Sequence, residues 1–265
     1  MDYQIDILKV GEFTACPGVQ LYWMSNLGDD EWEPLAVYAM LVRGGGRTIL
    51  VNSGPPLDEL DTLNAIWMEG TGGKQKLVVR EEDRILNRLA ALHVDPADVQ
   101  DLVLTPLQSY ATGGMDLFPN ARIWVNRYGW GELFAPRWKP HPHDRLHMCI
   151  VPRLITYAFV DAWERLMMME NEHDLAPGVH VFWTGVHHRS SVAVQVQTRQ
   201  GTVVFSDCFF RYENITQNRI LGINENMYEA LVAYERIRRT ADILVPMYDL
   251  RVLEDHPGGR IGYHC

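Results

Sequence analysis

Apolar strand-like runs occur in two groups along the 265 residues, and helical segments separate them. An apolar run over residues 36–43, a Gly-Gly-Gly turn and a run over 48–51 predict a β-hairpin. Apolar spacing predicts helices over 81–93 and 226–239. This alternation alone predicts an α/β or α+β chain, with one domain over residues 1–265. The other predicted strands are 5–10, 19–24, 101–104, 121–126, 179–183, 192–196, 202–205 and 243–245.

The composition excludes several kinds of partner. The net charge of -10 argues against a nucleic-acid backbone or an anionic membrane surface as the main partner. No apolar run approaches the roughly 20 residues of a membrane span, and the first residues do not resemble a signal peptide. The 4 cysteines are scattered and form no C-x-x-C pair, so reduced thiols and a cytoplasmic location are expected.

Residues 105–114, Thr-Pro-Leu-Gln-Ser-Tyr-Ala-Thr-Gly-Gly, directly follow the predicted strand 101–104. This frame resembles the signature loop of the metallo-β-lactamase superfamily, especially of its lactonase-like members. That loop reads T-H-x-H-x-D-H-x-G-G, and its histidines and aspartate bind two metal ions. The resemblance extends from residue 36 to residue 250 and implies the four-layer αββα sandwich of that superfamily, an α+β fold. The four metal-ligand positions of the loop are occupied here by Pro106, Gln108, Tyr110 and Ala111.

Three later motifs of the superfamily can also be matched. His187, within residues 184–191, occupies the position of a metal-binding histidine. Asp207 follows the strand 202–205 and occupies the position of the aspartate that bridges the metals, whereas Tyr248 replaces the last histidine. The resemblance therefore retains two metal ligands, His187 and Asp207.

The remaining donors determine which metal site could form. A dinuclear centre needs about three or four donors per ion. Proline and alanine offer no side-chain donor, and glutamine and tyrosine are poor substitutes for imidazole at zinc. A pocket without a cofactor is therefore expected. The alternative is a single zinc or iron ion held by His187 and Asp207, with a further ligand recruited from His188, Asp249, His256 or Gln108.

The substituted positions still carry side chains that can act on a substrate. Gln108, Tyr110 and Tyr248 can donate hydrogen bonds to a developing oxyanion. His187 could act as a general base, with Asp207 fixing its tautomer. These roles predict a hydrolase or lyase for a small organic molecule of lactone-like or ester-like ancestry. The residues predicted to bind substrate are His188, Ser109 and Asp249.

Several alternatives stay open. The tyrosines could instead fill the vacated cavity, and the chain could be a ligand-binding or scaffold protein without catalysis. A shift of one residue within 184–191 would turn His188, rather than His187, toward the pocket. The resemblance also implies a homodimer.

Residues 130–175 are rich in Trp, Met, Pro and His and predict a partly helical insertion that acts as a lid or an interface. Within it, residues 167–169 are three methionines expected on a helix. His141, His143 and His147 form the densest histidine cluster, which is expected in a solvated loop because its spacing matches no strong zinc pattern.

Overall fold

The computed structural model of the chain describes residues 2–24, 31–136 and 146–263, without the side chains of Val19, Leu146 and His147. Its strands are β1 (Gln4–Ala15), β2 (Glu33–Gly44), β3 (Arg47–Val51), β4 (Asp101–Val103), β5 (Arg122–Asn126), β6 (Leu166–Met169), β7 (Glu172–Ala176), β8 (Val179–Trp183), β9 (Val192–Thr198), β10 (Gly201–Ser206), β11 (Ile243–Pro246) and β12 (Arg260–Ile261). Its helices are α1 (Leu60–Gly70), α2 (Ile85–Ala91), α3 (Ser109–Thr112), α4 (Arg127–Phe134), α5 (Leu146–Cys149), α6 (Pro152–Val160), α7 (Tyr212–Thr216), α8 (Met227–Thr240) and α9 (Arg251–Asp255).

The strands form two mixed sheets. One has the order β12-β1-β2-β3-β4-β5-β6, antiparallel from β12 to β3 and parallel from β3 to β6. The other has the order β11-β10-β9-β8-β7, in which only the pair β10–β11 is parallel. Helices α2 and α4 contact the first sheet, and α7 and α8 contact the second. This is the α+β architecture of a four-layer αββα sandwich, as predicted.

Strand β2 shows why the sheets lie inside the sandwich. All residues from 35 to 42 are buried, so both faces of this strand are covered. A strand that is covered on both faces is expected to be continuously apolar rather than alternating, and Leu-Ala-Val-Tyr-Ala-Met-Leu-Val has that character.

The predicted hairpin of β2 and β3 is confirmed. Gly44 pairs with Arg47, which leaves Gly45 and Gly46 at the turn with φ of 57° and 73°. A two-residue hairpin turn with both residues in the left-handed region matches the twist of the strands and favours glycine at both positions.

The predicted helix over 226–239 is also confirmed as α8. The Asn226 side chain caps it by accepting hydrogen bonds from the backbone N–H groups of Tyr228 and Glu229. Its buried face, which includes Tyr234 and Ile237, packs against β10. Among the residues that the structure describes, no helix combines the length and the apolar character needed to cross a bilayer.

Two local predictions are wrong. Residues 17–21 form a helical turn rather than the strand predicted over 19–24, and Pro17 at its start suits the first turn of a helix. The methionines at 167–169 lie in strand β6 rather than on a helix, because pairing with the edge of β5 decides their conformation. Residues 137–145 and the side chain of His147, which include the predicted histidine cluster, lie outside the described residues.

Candidate active site

Asp207 lies directly after β10, is fully buried and connects three loops. The Thr105 hydroxyl donates to Asp207 Oδ1 over 2.9 Å, and the Ser191 hydroxyl donates to Oδ2 over 2.5 Å. The Thr105 N–H in turn donates to Asn52 Oδ1 over 2.9 Å. Both carboxylate oxygens of Asp207 are therefore engaged by hydroxyl groups from the two loops that carry the superfamily motifs.

Burial raises the pKa of Asp207 from 3.8 to about 7, although the hydrogen bonds from Ser191 and Thr105 oppose this rise. The negatively charged form loses its hydration in the interior, which favours the protonated acid. In the folded protein, Asp207 therefore holds a proton over a pH range in which an exposed aspartate would be ionised.

This raised pKa predicts a pH-dependent stability. Between the unfolded pKa of 3.8 and the folded pKa of about 7, the folded chain binds more protons at Asp207 than the unfolded chain. The stability that Asp207 contributes is thus present below pH 3.8 and is lost as the pH rises to about 7. We expect Asp207→Asn to gain stability relative to the wild type, by a few kcal/mol, between pH 5 and 8. Urea unfolding of both proteins across this range measures the difference, and a difference that does not change with pH would contradict the assignment.

Tyr110 in α3 and Tyr248 after β11 meet through their hydroxyl groups, whose oxygens are 3.0 Å apart. Burial raises the pKa of both phenols well above 10. The Tyr248 ring packs on Phe210 at 4.2 Å between centroids, and the Tyr110 ring contacts Trp67 at 5.9 Å. The pair is therefore a neutral phenol dyad set in an aromatic cluster.

His187 and His188 form a ring-to-ring contact with centroids 4.0 Å apart. His187 Nδ1 lies 3.2 Å from the carbonyl oxygen of Ile223, and its ring meets Phe210 edge to face at 4.9 Å. His188 Nδ1 lies 4.0 Å from Glu225 Oε1. His187 is therefore oriented by an acceptor on the segment that precedes α8, whereas His188 Nδ1 lies beyond hydrogen-bond distance of Glu225.

The loop before these histidines has an unusual backbone. Gly185 and Val186 both have positive φ, of 59° and 65°. The left-handed region is a genuine outlier for a β-branched residue such as valine. The Val186 carbonyl accepts a hydrogen bond from the Glu225 N–H over 2.6 Å. The surrounding structure thus holds a strained backbone at the point where it presents His187 and His188.

A small cleft with a volume of about 20 Å³ opens to solvent beside these loops. It is lined by residues of both motif loops, of α4, of the C-terminal end of α5 and of the segment before α8. These are Leu107, Gln108, Gly129, Glu132, Leu133, Cys149, His188, Arg189, Ser190 and Glu225.

Arg189 lies on the lining of the cleft and pairs with two carboxylates. It forms ion pairs with Glu225 and with Glu229, the latter with a 2.6 Å contact, and its guanidinium lies 5.4 Å from the Trp183 ring centroid. The positive charge of Arg189 is therefore balanced within the protein. Glu132 on the lining adds a further acidic group.

The structure brings some of the predicted site residues together and separates others. Gln108 and His188 line the cleft, and His187 contacts His188 from within the loop. The alternative match, shifted by one residue within 184–191, turns His188 rather than His187 toward the pocket, and His188 is the one of the two that lies on the lining. The charges of Asp207 and of the cleft-lining Cys149 add to the effect of burial in raising the pKa of Tyr110, and neither Tyr110 nor Tyr248 is among the lining residues.

Ser109 and Asp249 have other surroundings. Ser109 is fully buried as the first residue of α3. Asp249 Oδ2 accepts a hydrogen bond from Arg251 over 2.6 Å, and Oδ1 lies 3.5 Å from Arg211 Nη1. The Asp249 carboxylate is thus part of a buried ion-pair network, and its predicted role in binding substrate remains a prediction.

Sequence reasoning missed the residues that complete this region. Thr105 and Ser191 lie inside the quoted motifs, and their hydroxyl groups were the signal that could have identified them as partners of Asp207. Cys149 and Glu225 are distant in sequence from both motifs, and no pattern marks them. In the part of the chain that the structure describes, no group of three or more His, Cys, Asp or Glu side chains could hold a metal ion.

Comparisons with known proteins identify the architecture. An N-acyl homoserine lactone hydrolase, solved with N-hexanoyl-L-homoserine bound at its catalytic metal centre, superposes with a TM-score of 0.77 over 96% of this chain and 97% of that chain, at 20% identity. A dizinc quorum-quenching lactonase, AidC, superposes with a TM-score of 0.67 over 97% and 89%, at 13% identity. The fold is therefore the metallo-β-lactamase fold.

Sequence similarity adds to this likeness. An N-acyl homoserine lactonase of Bacillus sp is 26% identical over 219 residues, which cover 81% of this chain and 80% of that protein. No family model matches the chain. Together with the fold, this similarity supports the assignment of the chain as a lactonase-like member of the metallo-β-lactamase superfamily.

Proposed function

We propose that this protein is a hydrolase that opens a small lactone or cleaves a small ester in the cleft, without the paired metal ions of its relatives. The observation that carries the proposal is that both motif loops contribute to one solvent-open cleft, through Gln108 and His188. The relatives support the substrate class, since those named above are lactonases.

The donor set does not fit two metal ions. Pro106 and Ala111 have no side-chain donor. Both oxygens of Asp207 accept hydrogen bonds from hydroxyl groups. Burial keeps Tyr110 a neutral phenol. We therefore route no step of the reaction through a metal ion.

The same polar groups instead support acid–base chemistry. His188, which lines the cleft, acts as the general base. The Gln108 amide donates to the oxyanion that forms at the substrate carbonyl. The role of the phenol dyad of Tyr110 and Tyr248 as a further neutral donor remains a prediction.

Asp207 and His187 have positioning roles in this proposal. Asp207 holds the loops at Thr105 and Ser191 together, and the Ser191 hydroxyl also accepts the His188 N–H over 3.0 Å. His187 packs against the His188 ring and restricts its rotation. The sequence predicted His187 as the general base and Asp207 as its partner. In this proposal both residues instead hold His188 in position.

The test combines turnover with metal content. Protein purified without chelator is assayed against a panel of lactones and esters in a pH-stat, before and after dialysis against a chelator. Plasma mass spectrometry measures the bound metal. We expect turnover that survives the chelator, with less than about a tenth of an equivalent of transition metal.

Other outcomes contradict parts of the proposal. Turnover lost on chelation, with about one equivalent of zinc or iron that disappears in Asp207→Ala, would restore the single-metal alternative. Two equivalents of bound metal would contradict the interpretation that residues 105–114 have lost the ligands of a dinuclear centre. No turnover of any ester or lactone, together with ligand-dependent shifts of the melting temperature, would support a binding protein.

A further inference from the structure

We infer that Arg189 is a positioning residue of this cleft, which holds the loop over residues 184–191 in the conformation that places His188 on the lining. The inference rests on the proposed hydrolase function and names the contacts that keep its general base in place. The guanidinium of Arg189 contacts three other elements of the fold, and the backbone of the loop that it holds is strained.

Two glutamates, one on each side of the Asn226 cap of α8, bind the guanidinium of Arg189. Arg189 Nη2 donates to Glu229 Oε2 over 2.6 Å and Nη1 donates to Glu229 Oε1 over 3.1 Å, which makes this pair bidentate. Arg189 Nε donates to Glu225 Oε2. A guanidinium presents its donors in a rigid plane, and such forked pairs fix geometry as well as charge. Each nitrogen of the group is thus directed at a carboxylate of the protein.

Two aromatic rings contact the same guanidinium from other elements. Its carbon lies 5.4 Å from the ring centroid of Trp183, the last residue of β8, and 6.0 Å from that of Tyr128 in α4. The two rings meet edge to face with their centroids 5.4 Å apart. The Trp183 Nε1–H also donates to the Arg189 carbonyl oxygen over 2.7 Å, so both the side chain and the backbone of Arg189 are fixed. Arg189 therefore connects its loop to α4, β8 and α8.

Glu225 contacts the loop on both sides of the two histidines. Its N–H donates to the carbonyl oxygen of Val186 over 2.6 Å, and its carboxylate accepts from Arg189 Nε. His187 and His188 are the two residues between these contacts. Val186 has a φ of 65°, which is unfavourable for a valine and persists only where the surroundings impose it. Loss of the Arg189 contacts is therefore expected to let this backbone relax and move His188 away from the cleft.

The same contacts argue against Arg189 as the group that binds an anionic part of the substrate. Arg189 lies on the cleft lining, but its Nε, Nη1 and Nη2 all donate to Glu225 or Glu229. A substrate carboxylate would have to displace these partners and would meet their negative charge. The two roles differ in kinetics, because loss of a positioning residue lowers kcat, whereas loss of uniform substrate binding raises KM.

Arg189→Ala tests this role through kinetics and through the ring of His188. We expect kcat for the best ester or lactone to fall about tenfold or more, with KM changed by about twofold or less. Free guanidinium at about 20 mM, far below the molar concentrations that unfold proteins, should restore part of kcat, whereas urea at the same concentration should not. The imidazole NMR signals of His188, assigned by their loss in His188→Gln, should shift in Arg189→Ala and return toward their wild-type positions with guanidinium.

Arg236 on α8 provides the matched control. It also pairs with a carboxylate, that of Glu172, and its guanidinium carbon lies 3.8 Å from the Phe182 ring centroid, but it is not among the residues that line the cleft. Arg236→Ala should therefore leave kcat and the His188 signals unchanged. A fall in kcat for Arg236→Ala equal to that for Arg189→Ala would overturn the inference, because it would show a general loss of stability.

The other outcomes separate the positioning role from the proposed function. A KM that rises about tenfold at constant kcat would overturn the inference and show that Arg189 binds substrate. If the wild type cleaves no ester or lactone, the proposed function fails, and the His188 signals still decide. A shift in Arg189→Ala that guanidinium reverses supports the positioning role, and unchanged signals overturn it.

A second variant covers the case in which Arg189→Ala does not fold. Lysine keeps the charge but lacks the planar fork that pairs with Glu229 and Glu225 together. Arg189→Lys should therefore lower kcat several-fold and shift the His188 signals. Wild-type kcat together with wild-type signals in Arg189→Lys would overturn the inference.

Discussion

Replacing His188 with alanine is expected to lower kcat/KM for lactone or ester hydrolysis by about 10²- to 10⁴-fold, which is the contribution typical of a general base. His188 lines the cleft, and the carboxylate of Glu225 lies near its Nδ1. In the proposed reaction the imidazole accepts the proton of the attacking group, and alanine offers no acceptor. Steady-state kinetics with the best substrate from the panel measure the loss.

The neighbouring histidine provides the matched control. His187→Ala removes the same side chain from the same loop, but the His187 ring contacts the His188 ring at 4.0 Å and is not among the residues that line the cleft. We expect a loss of roughly tenfold or less for this variant. A larger loss for His187→Ala than for His188→Ala would return the role of base to His187. Thermal melts of both variants check that neither effect comes from unfolding.

Replacing Gly129 with alanine is expected to destabilise the protein by about 3 kcal/mol or more, since overpacking typically costs 1–3 kcal/mol and backbone is hard to displace. A Cβ at Gly129 would lie 2.2 Å from Ser190 Cα and 2.7 Å from Ser190 N. Both residues line the cleft, so α4 and the loop of His188 must separate to make room. Urea unfolding measures the loss of stability, and kcat/KM should fall with it.

Gly131 lies two residues further along the same helix and provides the control. A Cβ there meets nothing within 4 Å. Gly131→Ala should therefore be neutral or gain up to about 1 kcal/mol, because alanine is less flexible than glycine in the unfolded chain. Equal destabilisation by the two substitutions would show that α4 does not pack on Ser190.

Much of the fold could be predicted from local patterns. The hairpin of β2 and β3, the strands β8 to β11 and helix α8 have clear periodicity and turn residues, and each was predicted within a few residues. The strand β6 could not be predicted, because its conformation depends on pairing with β5, which lies more than 40 residues earlier in the sequence. Methionine by itself favours helices, and pairing with the edge of β5 overrides that preference.

The candidate site, like the fold, could be predicted from the sequence only in part. The sequence by itself determined that the two motif loops are present and that most metal-ligand positions carry other side chains, because this depends only on residue identity and order. Only the tertiary structure showed which contacts the side chains of the two loops make. The carboxylate oxygens of Asp207 accept hydrogen bonds from the hydroxyl groups of Thr105 and Ser191. Cys149 and His188 line the same cleft. These contacts join residues up to 102 positions apart. Such contacts are set by the packing of the two sheets and their helices, which no local pattern records.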